Sequence, residues 1–238
     1  MKMTDNGSAF SDGSRIFLRN LASDKPELFK AVVRFNASVN RENSVPKEAG
    51  SSVAHALING SKRAAARLNG TFTRGFWDFE EESRRMALLD SKTLKTLLLT
   101  WGAAFCAPLL CRFVQKQDLE VLHRDMEPGF TDFALKRGRF LLGDFDSIIR
   151  LEEASAKAEQ MPDLIMKYSM RAHDICLTFW PEPLRELQTE KIKLDLPEWF
   201  EKRPQTDRPH PSHPRAVWFS FKKILLKEVA PEWTPCFS

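Results

Sequence analysis

Apolar side chains recur every three or four residues over most of this chain, which is the spacing of amphipathic helices. Asn, Asp, Ser, Gly and Pro punctuate the pattern where helices begin and end. The pattern predicts a helix after a cap at Asp24, a second over 53–68, and a long apolar one after Asp90 or Ser91 that Pro108 breaks or kinks. Short helices are predicted over 109–114, from a cap at Asp118 to Pro128-Gly129, and over 130–142. Further helices are predicted after Asp144 or Asp146, from Pro162, and over 217–225 at the C-terminal end.

Three segments depart from helical spacing. Residues 191–196 alternate between charged and apolar side chains, which predicts a half-buried strand or extended segment. Residues 72–79 form an aromatic segment whose pattern favours neither helix nor strand. Residues 201–215 hold four prolines among polar side chains, which predicts an extended loop.

These elements predict a mainly α fold: a compact multi-helix single domain with at most one or two short strands and a loop-tethered C-terminal helix. The predicted divisions are a flexible N-terminal tail over 1–22, a helical domain over 23–200, a Pro-rich loop over 201–215 and a C-terminal helix over 216–238. The last helix either packs on the domain or is presented to a partner. The uncharged run 96–111 is shorter than a bilayer span and favours a buried helix, with a membrane span as the alternative.

Composition narrows the class of protein. The chain has 238 residues, 42% of them hydrophobic and 29% charged, which is typical of a globular protein and excludes collagen-like and wholly disordered classes. The formal charge of +4 is spread along the chain, so the clustered basic surface typical of duplex binding is not indicated. Four cysteines without a CxxC pair indicate reduced side chains in a cytosolic protein.

The groups that could carry chemistry are few, and each has a structural interpretation beside the chemical one. Solvated loop histidines, helix caps and buried thiols account for the same residues, and no nucleotide-binding, hydrolase or zinc-protease motif occurs. The candidates are His210 and His213 for a metal ion, Asp144, Asp146, Glu152 and Glu153 for acid–base chemistry or a divalent cation, Cys106 with Cys111 for a redox or metal pair, and Cys176 with His173 for a nucleophile.

Taken in order, several segments resemble one family, the sorting-platform accessory proteins of bacterial type III secretion systems (the SctK/YscK family). They are Arg34-Phe-Asn36, Phe76-Trp-Asp-Phe79 followed by Arg84-Arg-Met-Ala-Leu-Leu-Asp90, the leucine-rich helix 97–111, the segment 119–142 with Phe133-Ala-Leu135 and Arg139-Phe-Leu-Leu142, and the closing segment 224–233 ending in Pro-Glu-Trp233.

The resemblance implies a non-enzymatic cytoplasmic adaptor at the cytoplasmic face of the bacterial inner membrane. Such an adaptor connects the cytosolic forkhead-like domain of the inner-membrane ring protein to the sorting-platform pod protein, and so supports protein secretion by the injectisome. It implies contact with the membrane only through the ring. No cofactor, metal, small-molecule substrate or nucleic acid is expected.

One hypothesis places a partner-binding surface in 218–233, because aromatic side chains are frequent at interface hot spots and lysines can steer binding to an acidic surface. Its residues are Trp218, Phe221, Lys222, Lys223, Lys227 and Trp233. The alternative is that this helix packs on its own core. The aromatic segment 72–79 is a second candidate surface.

Two other functions stay open. A helical nucleic-acid-binding or regulatory protein is suggested by the isoelectric point near 8.9 and by the basic segment 62–67. An enzyme using Cys176 and His173 is the second alternative.

Overall fold

Helices make up nearly all of the structure, a computed structural model that describes residues 12–39, 75–126, 129–141, 156–203 and 214–237. Of the residues described, 82% are helical and none lies in a strand, which confirms the predicted mainly α fold. The chain divides into two compact units, residues 1–89 with 234–238 and residues 90–233. The helices predicted over 53–68 and after Asp144 or Asp146 lie outside the described residues.

The first unit contains two helices, α1 (Asp12–Asp24) and α2 (Pro26–Val39), and a 3₁₀ helix (Glu82–Leu88). Helix α2 begins two residues after the predicted cap at Asp24, but Asp24 itself is the last residue of α1. The predicted tail over 1–22 is wrong from residue 12 onward, because those residues form α1 and its Leu18 and Leu21 are buried. These leucines are three residues apart and so share one face of α1, which packs against α2.

A buried amide on α2 binds the backbone of the aromatic segment. Asn36 is fully buried, and its Oδ1 accepts the Phe76 backbone N–H at 2.7 Å while its Nδ2 donates to the Phe76 carbonyl at 2.8 Å. One side chain therefore satisfies both backbone groups of Phe76, as a neighbouring strand would. This explains how residues 75–80 lie against a helix without forming one themselves, while Trp77 and Phe79 are buried.

The second unit contains the longer run of helices. They are α3 (Ser91–Leu110), α4 (Lys116–Asp125), α5 (Phe130–Phe133), which continues through a π-helical turn (Ala134–Gly138) into α6 (Arg139–Leu141), a 3₁₀ turn (Ala158–Gln160) that leads into α7 (Met161–Leu177), then α8 (Glu182–Asp195), α9 (Pro197–Glu201) and α10 (Pro214–Ile224) with its π-helical extension (Leu225–Val229). A 3₁₀ helix (Pro231–Cys236) follows.

Helix α3 begins as predicted and ends later than predicted. Asp90 caps it, with Oδ1 accepting the Thr93 backbone N–H at 2.9 Å. Pro108 lies inside the last turn and does not end the helix, which continues to Leu110. The short helix predicted over 109–114 is therefore wrong, and residues after Leu110 form a turn. Gln115, and not Asp118, stands at the cap of α4.

The strand predicted over 191–196 is wrong, because residues 191–195 complete α8. Ile192 and Leu196 are buried and Leu194 is 79% exposed. Positions 192 and 196 are one helical turn apart on the inner face, and position 194 points the other way. An alternating sequence can therefore match a helix as well as a strand when one of its three apolar residues faces solvent.

Helices α3 and α7 cross in close contact at Gly102. A Cβ at this position would lie 2.3 Å from the Ile165 carbonyl oxygen and 2.8 Å from its Cγ2. Real Cβ atoms do not approach a backbone oxygen this closely, so glycine is what permits the two backbones to meet. The next two residues of α3, Ala103 and Ala104, are also small and buried.

Gly102→Ala is expected to lower the free energy of unfolding by about 1 to 3 kcal/mol through overpacking, although alanine ordinarily stabilises a helix relative to glycine by about 1 kcal/mol. Urea unfolding followed by circular dichroism measures the change. Gly138→Ala is the control, since its Cβ would meet Ala104 Cα at 3.1 Å and needs only a small shift. A Gly102→Ala protein as stable as the wild type would contradict the close contact.

The C-terminal helix is confirmed and packs within the second unit. Helix α10 contacts α3 and α7, and its predicted apolar positions are buried. They are Val217, Trp218, Phe221, Ile224 and Leu225. Of the loop predicted over 201–215, residues 204–213 lie outside the described part of the chain.

Candidate functional site

An apolar groove of about 230 Å³ opens on the second unit between α3, α5, α7 and α9. Two of its lining side chains, Ile165 and Trp199, are almost fully buried. One charged residue of each sign stands exposed at its edge, Lys95 and Glu198. Half-buried apolar side chains complete the lining, and they are Leu99, Met126, Phe130, Pro162 and Met166.

Helical spacing positions two walls of the groove. Lys95 and Leu99 are one turn apart on α3, and so project from the same side of that helix. Pro162 and Met166 are likewise one turn apart on α7, with Ile165 between them. The walls thus lie beside the Gly102–Ile165 crossing, which holds α3 and α7 together.

The other two sides of the groove come from chain reversals. Met126 ends α4 and Phe130 begins α5, and Gly129 between them has φ of 105°, a left-handed conformation that favours glycine. Trp199 lies on α9, a short helix that starts at Pro197 directly after α8. Proline suits this position, because the first residues of a helix have no intrahelical partner for their N–H groups.

The two charges at the edge are available for binding. Neither Lys95 nor Glu198 forms an ion pair with another residue in the described part of the chain. The nearby Lys202 is engaged instead, with its Nζ 2.7 Å from Asp163 Oδ2, which ties the end of α9 to α7. A bound molecule would therefore find a free ammonium, a free carboxylate and an apolar surface between helices.

These properties favour the side chains of another protein over a small molecule. Small-molecule sites enclose about 300 to 1,000 Å³ and carry a few buried polar groups that orient the ligand. This groove is smaller, and its two ionisable side chains are exposed at the edge. It suits one or two large apolar side chains with charged neighbours.

The residues predicted to bind a partner do not line the groove. Some of them are buried and others are accessible. Trp218 is 6% exposed and Phe221 is fully buried, with their rings stacked 5.1 Å apart. Phe221 also meets the Trp101 ring edge-on at 5.3 Å, and Trp101 Nε1 donates to Ser220 Oγ at 2.9 Å. The two aromatic side chains proposed as hot spots are thus part of the core in this conformation.

The remaining predicted residues are more accessible. Lys222, Lys223 and Trp233 are half-buried and Lys227 is exposed. Lys223 Nζ donates to the Leu141 carbonyl at 3.1 Å, so it joins α10 to α6. The aromatic side chain that α10 does present to solvent is Phe219, which is 62% exposed.

The His173 and Cys176 pair is buried within a polar network and not in an open site. His173 is 1% exposed, with Nε2 3.2 Å from Gln188 Nε2 and Nδ1 3.5 Å from Asp174 Oδ1. Arg203 Nε donates to Asp174 Oδ2 at 2.6 Å. Burial alone would raise the pKa of Asp174, but the polar contact with His173 and the hydrogen bond and charge of Arg203 outweigh it and hold the pKa below its ordinary value.

Cys176 does not have the environment of a nucleophile. Complete burial, with Asp174 as a smaller contribution, raises the pKa of the Cys176 thiol far above its ordinary value. An activated cysteine requires the opposite shift, because the thiolate is the reactive form. The other candidate pair is Cys106 and Cys111. Cys106 is buried and Cys111 is exposed, so the two thiols lie in different environments.

The other candidate groups fall largely outside the described residues. This applies to His210, His213, Asp144, Asp146, Glu152, Glu153 and the basic segment 62–67. Among the residues that the structure does describe, no group of three or more His, Cys, Asp and Glu side chains could hold a metal ion.

One described helix, Ser91–Leu110, is long and apolar enough to cross a membrane. Within its most apolar window, 72% of the residues are buried inside the protein. The apolar surface of α3 is therefore largely used in packing, as the buried-helix prediction expects.

Sequence reasoning missed the groove because its residues belong to no motif. Leu99, Phe130 and Met166 lie beside the apolar stripes that predict the core and not within them. The available signal was a large apolar residue on the flank of each of three helices. That signal is weak, since single exposed apolar residues are common on protein surfaces.

No known protein family, curated protein or solved structure matches this chain.

Proposed function

We propose that this protein is a non-enzymatic adaptor of a bacterial type III secretion system. In this proposal it acts at the cytoplasmic face of the inner membrane, where it joins the cytosolic forkhead-like domain of the ring protein to the pod protein of the sorting platform. The secretion role rests on the resemblance of its ordered sequence segments to the SctK/YscK family. The adaptor role rests on the geometry of the second unit.

The observation that carries the adaptor role is the groove. It combines apolar walls with one exposed charge of each sign, and its volume suits side chains of a protein and not a substrate. The alternative enzymatic centre at Cys176 and His173 is buried, and the thiol is held in its unreactive protonated form. Protein binding is therefore the function best supported by the described residues.

Two of the segments that carry the resemblance also have defined structural roles, which is further support. Asn36, from the Arg34-Phe-Asn36 segment, binds both backbone groups of Phe76 in the aromatic segment. Arg85, from the segment after it, donates to the carbonyl oxygens of Phe79, Glu80 and Cys236. These residues are needed to form the first unit, so their presence in the pattern has a physical reason.

Co-expression of the full chain with the ring protein's cytosolic domain and the pod protein tests the proposal. The two partners are taken from the type III secretion system of the same genome. We expect a three-protein complex on size-exclusion chromatography, and loss of secretion when the gene is deleted. A second expectation is that injectisome ring, ATPase and stalk genes lie beside this one.

A folded chain that binds neither partner would overturn the secretion role. Titration with duplex DNA and with RNA at low salt distinguishes the nucleic-acid alternative. Affinity that falls steeply as salt rises would favour that alternative, because such binding is dominated by phosphate contacts.

A further inference from the structure

We infer that the groove lined by Lys95, Leu99, Met166 and Trp199 receives one amphipathic helix of a partner protein. That helix inserts one or two large apolar side chains between α3 and α7, and carries an acidic residue toward Lys95 and a basic residue toward Glu198. The inference rests on the proposed function, in that it takes the occupant of the groove to be a protein.

Backbone chemistry favours a helix over an added strand. A peptide that binds as an added strand needs an exposed sheet edge, and no described residue of this chain lies in a strand. The groove is lined by side chains of helices, whose backbone groups bond within the helices themselves. An occupant can therefore gain only side-chain contacts, and a helix arrives with its own backbone groups already paired.

The volume of the groove limits how many side chains of the partner can enter it. The groove encloses about 230 Å³, which is below the range of pockets that hold whole small molecules. Its lining includes two methionines and two aromatic side chains, Met126, Met166, Phe130 and Trp199. Methionine adapts its shape to different apolar groups, so the groove suits leucine, methionine or phenylalanine at i and i+3 or i+4 of the partner helix.

The two charged residues at the edge of the groove determine which charges the partner helix should carry beside its apolar side chains. Lys95 and Glu198 have opposite signs, lie on different helices, and are unpaired among the residues described. Exposed ion pairs add little affinity, but the two charges penalise a helix with the wrong sign at either flank. The apolar contacts therefore provide most of the affinity and the two charges provide the selectivity.

Selection from a displayed library of amphipathic helices tests the inference on the full-length chain. We expect recovered helices to bind the wild type and to weaken by about tenfold or more on Met166→Glu, since a carboxylate would be buried against their apolar side chains. Leu99→Gln is a second groove variant on the opposite wall. Val114→Glu is the matched control, because Val114 is 77% exposed and does not line the groove.

The charge assignment is tested with the same helices. Lys95→Glu is expected to weaken the selected helices by about two- to fivefold, and replacing their acidic flanking residue by lysine is expected to restore binding. Circular dichroism of each variant confirms that the chain is folded. Selected helices that bind Met166→Glu and Leu99→Gln like the wild type would overturn the inference, as would a selection that yields no groove-dependent helix.

The outcomes separate this inference from the proposed secretion role. If groove-dependent helices are found but ring and pod proteins do not bind, the groove stands and the secretion role falls. If ring and pod proteins bind Met166→Glu and Leu99→Gln like the wild type, the secretion role stands and the groove is not its interface.

Discussion

Replacing Arg85 by methionine is expected to lower the free energy of unfolding of the first unit by about 2 to 4 kcal/mol. Arg85 is 7% exposed, and its guanidinium donates to the carbonyl oxygens of Phe79 at 3.1 Å, Glu80 at 3.1 Å and Cys236 at 2.9 Å. Methionine fills similar space but leaves all three acceptors without this donor. Part of the loss is offset, because the buried guanidinium no longer has to be removed from water.

Hydrogen exchange followed by mass spectrometry is the measurement, since it reports on residues 75–89 and 234–237 separately from the second unit. Both segments are expected to exchange faster in Arg85→Met. Arg84→Met is the matched control, because Arg84 pairs with Asp78 and Glu81, which are about half exposed. Such pairs contribute less than about 1 kcal/mol. Equal effects of the two substitutions would contradict the role assigned to Arg85.

Replacing Phe221 by alanine is expected to cost about 3 to 5 kcal/mol, the usual loss for removing a fully buried aromatic ring. Phe221 contacts Trp101 and Trp218 within the second unit, and such ring pairs add about 0.5 to 1.5 kcal/mol beyond the area they bury. The cavity would lie between α10 and α3, where the backbone cannot readily close over it.

Denaturant unfolding of Phe221→Ala, followed by tryptophan fluorescence and circular dichroism, measures this loss. Phe219→Ala is the control on the same helix, because its ring is 62% exposed and its loss is expected to change stability by less than about 0.5 kcal/mol. Similar midpoints for the two variants would show that α10 does not pack as described.

The two results together bear on where a partner binds. If Phe221 is needed for folding, deleting the chain beyond Arg215 destroys the second unit and cannot report on binding by 218–233. A contribution of this segment to binding is then confined to its accessible side chains, among them Lys227 and Phe219. No residue of α10 lines the groove, so the groove variants change no side chain of α10.

Local signals in the sequence were sufficient to predict the helical elements. The Asp90 cap, Pro162 in the first turn of α7, and the apolar stripe of α10 each act within four residues along the chain, and each is confirmed. The errors occurred where local signals are ambiguous. The apolar residues of 191–196 match the spacing of a helix as well as that of a strand. The start of α1 is polar, so its two buried leucines, Leu18 and Leu21, did not indicate a helix.

Contacts between residues far apart in sequence were not predictable in this way. Asn36 and Phe76 are separated by 40 positions, and Arg85 and Cys236 by 151. The sequence around Asn36 or Arg85 does not indicate which distant residue it will bind. The same holds for the groove, whose four walls come from separate helices.

The helical fold class, the starts of several helices and the apolar stripes that enter the core follow from the order of residues alone, because propensity, capping and periodicity act between neighbours. Contacts between helices bury Trp218 and Phe221 while Phe219 is exposed, enclose His173 and Cys176, and place Leu99 and Met166 in one groove. Those outcomes depend on which helices pack together, and packing is set by the whole chain.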